Sequence, residues 1–413
     1  MSPAKLPIDV PPAEMKVMGM NLIPFLAWIH RIMPDSWRKS AMSKQNAPDI
    51  SDLAKDLHDF NGESPYKTEE VVPDKVWSVT YTFEDKSMCN EKAREMMAAF
   101  GMDLRSEEFK KKVLEGAESH GPEYVDLCKK DLENMLEYYN KTEYTDEEVR
   151  KTFNEELCMF VVKLNSGSLL LYSPVKIREE HGFKSWLDGL GKVEYIIVGS
   201  CFHTNYLSGV FKQYPEAKIV GTPAAHDKLN VIQALPRNLD KFDVNCQDAD
   251  QLAGVNRELE KQGVTLFYVD GDVACNSLNA VAHNTLLTVD LIYGSHDGFG
   301  AFGLDKEEFV KRGVELSNTR LFRFRLMSKP HSPNGALAQY RYHMLDLNSA
   351  GAMSYDIPAN DGSSCNLMAE SLRYLLRLEF DTVLGVHCGR MTREVFRKDV
   401  EANWNWLDGK TLL

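Results

Sequence analysis

VEYIIVGSCFHTNYLSGVFKQYPEAKIVG, residues 193–221, is the stretch whose reading decides the fold. Val193–Val198 is a short apolar, β-branched run, as expected of a buried strand. Gly199–Tyr206 follows as a loop dense in side chains that bind metals or form hydrogen bonds: Ser200, Cys201, His203, Thr204, Asn205 and Tyr206. Leu207–Tyr214 has helical spacing, with Leu207, Val210, Phe211 and Tyr214 on one face. Pro215 stops that helix, and Ala217–Val220 reads as the next strand. A polar loop at the carboxyl end of a buried strand is where open α/β folds place their ligands.

The same texture extends outward. Leu157–Pro174 reads as two strands joined by Asn165-Ser166-Gly167, a hairpin signal. Phe183–Leu190 has helical spacing, and Ala224–Leu229 reads as a short helix. Thr265–Val269 is a strand, and Leu278–Val281 pairs with Thr285–Ile292 around His283-Asn284. Asp290 lies among Leu286, Leu287, Val289, Leu291 and Ile292, so it is a carboxylate within a buried run and needs a partner or a metal. Near the C-terminus the run TVLGV leads into His387-Cys388-Gly389-Arg390, and Thr392–Leu407 reads as a helix.

Before residue 157 the texture differs. Residues 1–75 read as an extension with Pro3, Pro7, Pro11 and Pro12 at its start. Within it Asn21–Ile32 is an amphipathic helix candidate and Ser36–Thr68 is polar and loop-like. Val76–Phe83 alternates as a strand does. Four helices follow: Asn90–Phe100, Ser106–Glu115 capped by Ser106, Pro122–Tyr139, and Thr145–Glu156. The expected organisation is an extension over 1–75, a mainly helical subdomain over 76–156, and a main domain over 157–413 with an insertion at about 296–370.

The segments from 157 to 407, in their order, resemble the metallo-β-lactamase fold superfamily. There a strand runs into H-x-H-x-D-H, followed by a glycine-bearing helix and a "yP-A-k-v" strand. With His203 as the second histidine, the first becomes Cys201, the aspartate Asn205 and the third histidine Tyr206, while Gly209 falls on the family glycine. Thr285–Tyr293 is similar to the family strand "tLltgDll", whose aspartate bridges two metals. The resemblance implies an α/β fold, an αββα sandwich, here with an added N-terminal helical subdomain. It is closest to degenerate, uncharacterised branches that keep the frame and lose most of the histidines.

The resemblance also implies a ligand set. The first metal would fall to Cys201, His203, Asp272 and Asp290, with Asp272 entering because Val269-Asp270-Gly271-Asp272 stands where the family has T-P-G-H. All four can bind zinc or another divalent metal. The second would fall to Asn205, Tyr206, Asp290 and His387, and an amide with a phenol is a poor zinc set. One metal is therefore expected, with Asn205, Tyr206 and His387 lining the pocket. Each residue also has a structural reading. Cys201 suits a small buried hydrophobe, His203 a helix cap and Asp272 a turn, and Asp290 and His387 can bond each other. Two functions follow. One is a hydrolase using a metal-bound water on a small ester, amide or thioester. The other is a non-catalytic binding or scaffold protein with no metal.

Composition narrows the field further. A net charge of −13 over 413 residues argues against general nucleic-acid binding. The eight cysteines are spread singly, which reads as reduced thiols in an intracellular, cytoplasmic protein. No run approaches the roughly 20 apolar residues of a membrane span, and no secretory signal is evident. Gly298–Gly303 lacks the Lys-Ser/Thr pair of a phosphate loop, and Ser173 and Ser200 lack a nucleophile context. Arg320, Arg323, Arg325 and Lys329 form a small basic cluster that suits an anionic substrate group or, more simply, a solvated helix face. The small-molecule partner and the oligomeric state stay open.

Overall fold

The computed structural model describes residues 54–56, 63–85, 105–118, 122–141, 145, 154–200, 203–204, 206–223, 225–226, 241–270, 277–293, 363–387 and 389–397. The expected helices Asn21–Ile32 and Asn90–Phe100, the Gly298–Gly303 run and the Arg320–Lys329 cluster lie outside these residues.

Two sheets organise what is described. The first holds β1 (Ala54–Asp56), β2 (Tyr66–Val72), β3 (Val76–Asp85), β4 (Asn154–Lys163), β5 (Leu169–Tyr172), β6 (Val193–Ile197), β7 (Lys218–Gly221) and β8 (Val244–Asn245). Its order is β1-β3-β4-β5-β6-β7-β8, with β2 also on β3. The β3–β4–β5 part is antiparallel and the β5–β8 part parallel. The second holds β9 (Val264–Tyr268), β10 (Leu278–Ala282), β11 (Thr285–Tyr293), β12 (Thr382–His387) and β13 (Gly389–Thr392), in the order β13-β12-β11-β10-β9. Only β11 and β12 run parallel there.

Strand alternation sets the layers. On β4, Phe160 and Val162 face the apolar layer between the sheets, while Met159 and Val161 face the outer layer. The middle layer also takes Leu170, Tyr172 and Ile197 from the first sheet and Leu278, Ala280, Leu287, Val289 and Leu384 from the second. Each large apolar side chain moved from water into it contributes roughly 2 kcal/mol. The outer face of the first sheet is covered by α3 (Phe183–Leu190) and α4 (Leu207–Gln213), through Phe183, Leu187, Leu207, Val210 and Phe211. The outer face of the second is covered by α6 (Ser363–Arg377), through Leu372 and Leu375. Helix, sheet, sheet, helix is the expected sandwich.

Two further helices, α1 (Glu107–Glu118) and α2 (Pro122–Tyr139), fall where the sequence places them, with Ser106 Oγ accepting from Phe109 N–H. Helix α5 (Ala249–Leu259) was not anticipated, although Asp248 caps it by accepting from the N–H groups of Asp250 and Gln251.

Some boundaries move. The Ser36–Thr68 segment, expected as loop, contains β1 and the start of β2. β2 exposes most of its residues, so backbone pairing with β3 defines it and no apolar pattern announces it. The expected helix Thr145–Glu156 overlaps β4, where Asn154 pairs with Glu84 and Glu155 with Phe83. A nine-pair antiparallel ladder there outweighs local helix propensity. The main sheet thus continues N-terminal of residue 157. At the other end, α6 begins inside the expected 296–370 insertion, and Thr392 belongs to β13, ahead of the helical turn that follows.

Candidate functional site

The carboxyl ends of β6 and β11 meet at one edge of the sandwich, and a glycine makes the meeting possible. A Cβ on Gly199 would lie 2.5 Å from Val289 Cγ2 and 3.0 Å from the Tyr172 ring, so the loop after β6 comes this close only without a side chain. Two hydrogen bonds fix the join. Leu278 N–H donates to Gly199 O (3.0 Å), and Tyr172 O–H donates to Leu278 O (2.7 Å).

β11 changes character at this edge. Its parallel register with β12 is regular up to Thr288 opposite Gly385 and resumes at Tyr293 opposite His387. Asp290 lies in the irregular segment between them. Bulges recur beside functional sites because they re-aim side chains. His387 is the last residue of the neighbouring strand β12. Asp290 thus lies in the irregular part of β11, one residue after the Val289 that meets Gly199, and His387 ends the parallel strand beside it.

Polar groups crowd the same edge. Ser173 follows β5 with a left-handed φ of 51°, is 3% exposed, and its hydroxyl has no hydrogen-bond partner. A non-glycine residue in that conformation is strained. Its N–H donates to Ile197 O (2.9 Å). Ser200 and Ser277, which adjoin Gly199 and Leu278 in the chain, are buried, and so is Thr204 in the loop before α4. Asp270 follows β9; desolvation raises its pKa, and its N–H donates to Ser371 Oγ (3.0 Å) on α6.

The residues singled out in the sequence fare unequally. His203 is half-buried in the loop before α4. Tyr206 packs edge-on against Tyr81 (5.6 Å) and Phe83 (6.1 Å), within the apolar layer under α3 and α4. Cys201, Asn205 and Asp272 lie outside the described residues, as do the side chains of Asp290 and His387. Among the described residues no group of three or more His, Cys, Asp or Glu is placed to hold a metal. Sequence reading missed Gly199 as the contact point and Ser173 as a strained, buried hydroxyl. The Ser173-Pro174 pair at a strand end was the one available signal for the latter.

A hairpin comes first, then strand–loop–helix–strand, then the Asp290 strand beside the His387 strand, all inside an αββα sandwich. The fold is of the metallo-β-lactamase type. No family description and no curated protein matches the chain. Solved structures similar to it include the flavodiiron core from Synechocystis, at 11% identity over 84% of this chain and 62% of that one, with a TM-score of 0.37. A metallo-β-lactamase from Pseudomonas aeruginosa in its mono-zinc form is similar at 7% identity over 84% and 97%, with a TM-score of 0.38. One from Erythrobacter litoralis is similar at 10% over 82% and 96%, with a TM-score of 0.37. The chain thus spans less than two thirds of the flavodiiron core it resembles. Likenesses this low carry nothing about chemistry, and the architecture rests on the layer order and register above.

A separate cleft of about 460 Å³ opens at the other end of the parallel strands, lined by Lys218, Asp243, Gln251, Arg257, Glu258 and Lys261 among others. Its carboxylates are engaged: Glu258 by Lys218 (2.9 Å) and by Tyr195 O–H, Asp243 by Ile219 N–H (2.7 Å). No described helix is long and apolar enough to cross a membrane.

Proposed function

We propose that this metallo-β-lactamase-like protein binds a small molecule at the edge beside Gly199. In this reading Cys201, His203, Asp272 and Asp290 hold one divalent metal, zinc by ligand type, and the chain hydrolyses a small ester, amide or thioester. The observation that supports it is the Gly199 join, which brings the loop bearing His203 against the strand bearing Asp290. Thiolate, imidazole and two carboxylates form a competent donor set for one such cation. A cation there supplies Lewis acidity and lowers the pKa of a coordinated water to about 7. His387, at the end of the strand next to Asp290, lines the pocket and orients the substrate.

A second reading, a binding or scaffold protein without metal, draws on Tyr206. That position, a ligand in the family motif, here packs aromatic rings. The two readings separate on metal content. Protein purified without chelator is expected to carry one zinc per chain and to melt higher with added zinc. Asp290→Asn should abolish both effects, and Tyr206→Phe should leave binding nearly intact. Two metals per chain would show Asn205 and Tyr206 to be ligands. No metal and no zinc-dependent stabilisation would remove the hydrolase and leave the binding protein.

A further inference from the structure

Asn279 on β10 and Thr288 on β11 are both 0% exposed. Neither amide atom of Asn279 nor the hydroxyl of Thr288 has a hydrogen-bond partner. Reversing the amide does not help, since its oxygen and nitrogen are equally unmet. Buried polar atoms in folded proteins are nearly always satisfied, by protein or by ordered water.

The register places the two residues near each other, one step beyond the last printed pair of the ladder. Ala280 pairs with Leu287, and one step further in the same antiparallel register sets Asn279 across from Thr288. Their strand neighbours Leu278, Ala280, Leu287 and Val289 face the middle layer, while Leu286 faces the outer one. Asn279 and Thr288 therefore share the outer face of the second sheet, the face covered by α6. The row continues on both sides. Phe267 flanks Asn279, Gly385 flanks Thr288, and Gly389 flanks Gly385. Gly385 is buried and carries no side chain to fill the row beside the amide and the hydroxyl.

The chemistry of the row specifies its occupant. It carries no charged side chain, so neither a cation nor an anion is compensated there. It offers a donor-only atom, an acceptor-only atom and a hydroxyl that does both, so the guest must donate and accept. A polar, closed site with two to four partners is what an internal water requires. We propose that Asn279 and Thr288 hold an ordered internal water in a notch of the second sheet, beside Gly385 and under α6. The notch stands two residues inward from Ser277 and Asp290 on the same strands. The bulged part of β11 thus has a hydrated polar floor behind it. This inference is independent of whether a metal binds.

The wild-type protein tests it first. A crystal structure resolving ordered solvent should show a water within hydrogen-bond distance of Asn279 and Thr288, and an empty notch or a protein group in that place overturns the proposal. Melting temperatures then give a second sign. Thr288→Val, which keeps the shape and removes the hydroxyl, should lower Tm by about 2 °C or more because the water loses a partner. Thr288→Ser should restore most of the loss. A higher Tm for Thr288→Val would mean that an unpartnered hydroxyl had been removed, and would overturn the proposal. Should that variant fail to fold, the solvent structure of the wild type decides.

Discussion

The two ends of the sandwich are built on different terms. At the turn end, His283 and Asn284 form a two-residue hairpin loop with both φ angles positive, 46° and 63°, the backbone that matches strand twist. His283 N–H donates to Gly263 O (3.0 Å) and its Nε2–H to Lys163 O (2.9 Å). Asn284 O accepts from Asp381 N–H (2.8 Å), and the neighbouring hairpin is tied in through Asn165 Nδ2 to Lys261 O (3.2 Å) and Ser166 N–H to Gln262 Oε1 (2.8 Å). Gly263, with φ 83°, leaves just enough space for the His283 ring. At the strand-end edge the sheets instead meet at one side-chain-free point. Ser173 is strained there, β11 is irregular, and the hydroxyls of Ser173 and Thr288 have no protein partner. Stability is concentrated at one end and uncommitted polar chemistry at the other, the usual division between scaffold and site.

The sharpest way to break this contrast is to fill the join. Gly199→Ala should cost about 3 kcal/mol, because Val289 and Tyr172 must both give way in a packed layer; urea unfolding would read it, and an unchanged midpoint would mean that the sheets do not rely on this approach. Next in size is Tyr172→Phe. It leaves the buried Leu278 carbonyl without its hydroxyl donor and should cost about 1–2 kcal/mol. The variant melting like wild type would show the bond to be replaceable.

The turn end predicts a pH dependence. Burial, opposed by the bond to the Lys163 carbonyl and aided by the Lys75 charge, holds the His283 pKa below its usual 6.5. The unfolded chain therefore takes up this proton more readily than the folded one. The contribution is fully present above pH 6.5 and is lost as pH falls from there through the lower folded value. Urea midpoints measured between about pH 7.5 and about pH 5 should decline, and His283→Gln should flatten that part of the decline. An identical slope in both proteins would assign it to other groups. The smallest effect is of opposite sign. Ser173→Gly relieves a left-handed serine and removes an unmet hydroxyl, so it should stabilise by about 0.5 kcal/mol after the entropy cost of glycine. A loss of stability would mean that the hydroxyl has a partner in solution.

Local chemistry was enough for many elements. α3 and α2 occupy the expected residues, because their boundaries depend on neighbours within a turn: apolar spacing, a proline at the start, a glycine at the end. β6, α4 and β7 fall within a residue or so of their expected limits for the same reason. The hairpin at His283-Asn284 was legible because few residue pairs accept two left-handed positions. In the candidate site, sequence named Asp290 as a carboxylate within an apolar strand and His387 as the residue after one, since each stands out against the apolar run beside it.

Other features depended on partners far away in sequence. β2 is a strand because β3 lies beside it, and β4 takes residues with helical propensity because Val76–Asp85 offers a long ladder. Gly199 is indispensable because Val289, ninety positions on by the numbering, comes within reach of it. Asn279 and Thr288 read as ordinary strand residues until register sets them near each other beside Gly385. Periodicity and capping are properties of a short segment and are written in it. Close approach, ladder pairing and the satisfaction of buried polar groups are properties of two surfaces at once, and only tertiary structure decides them.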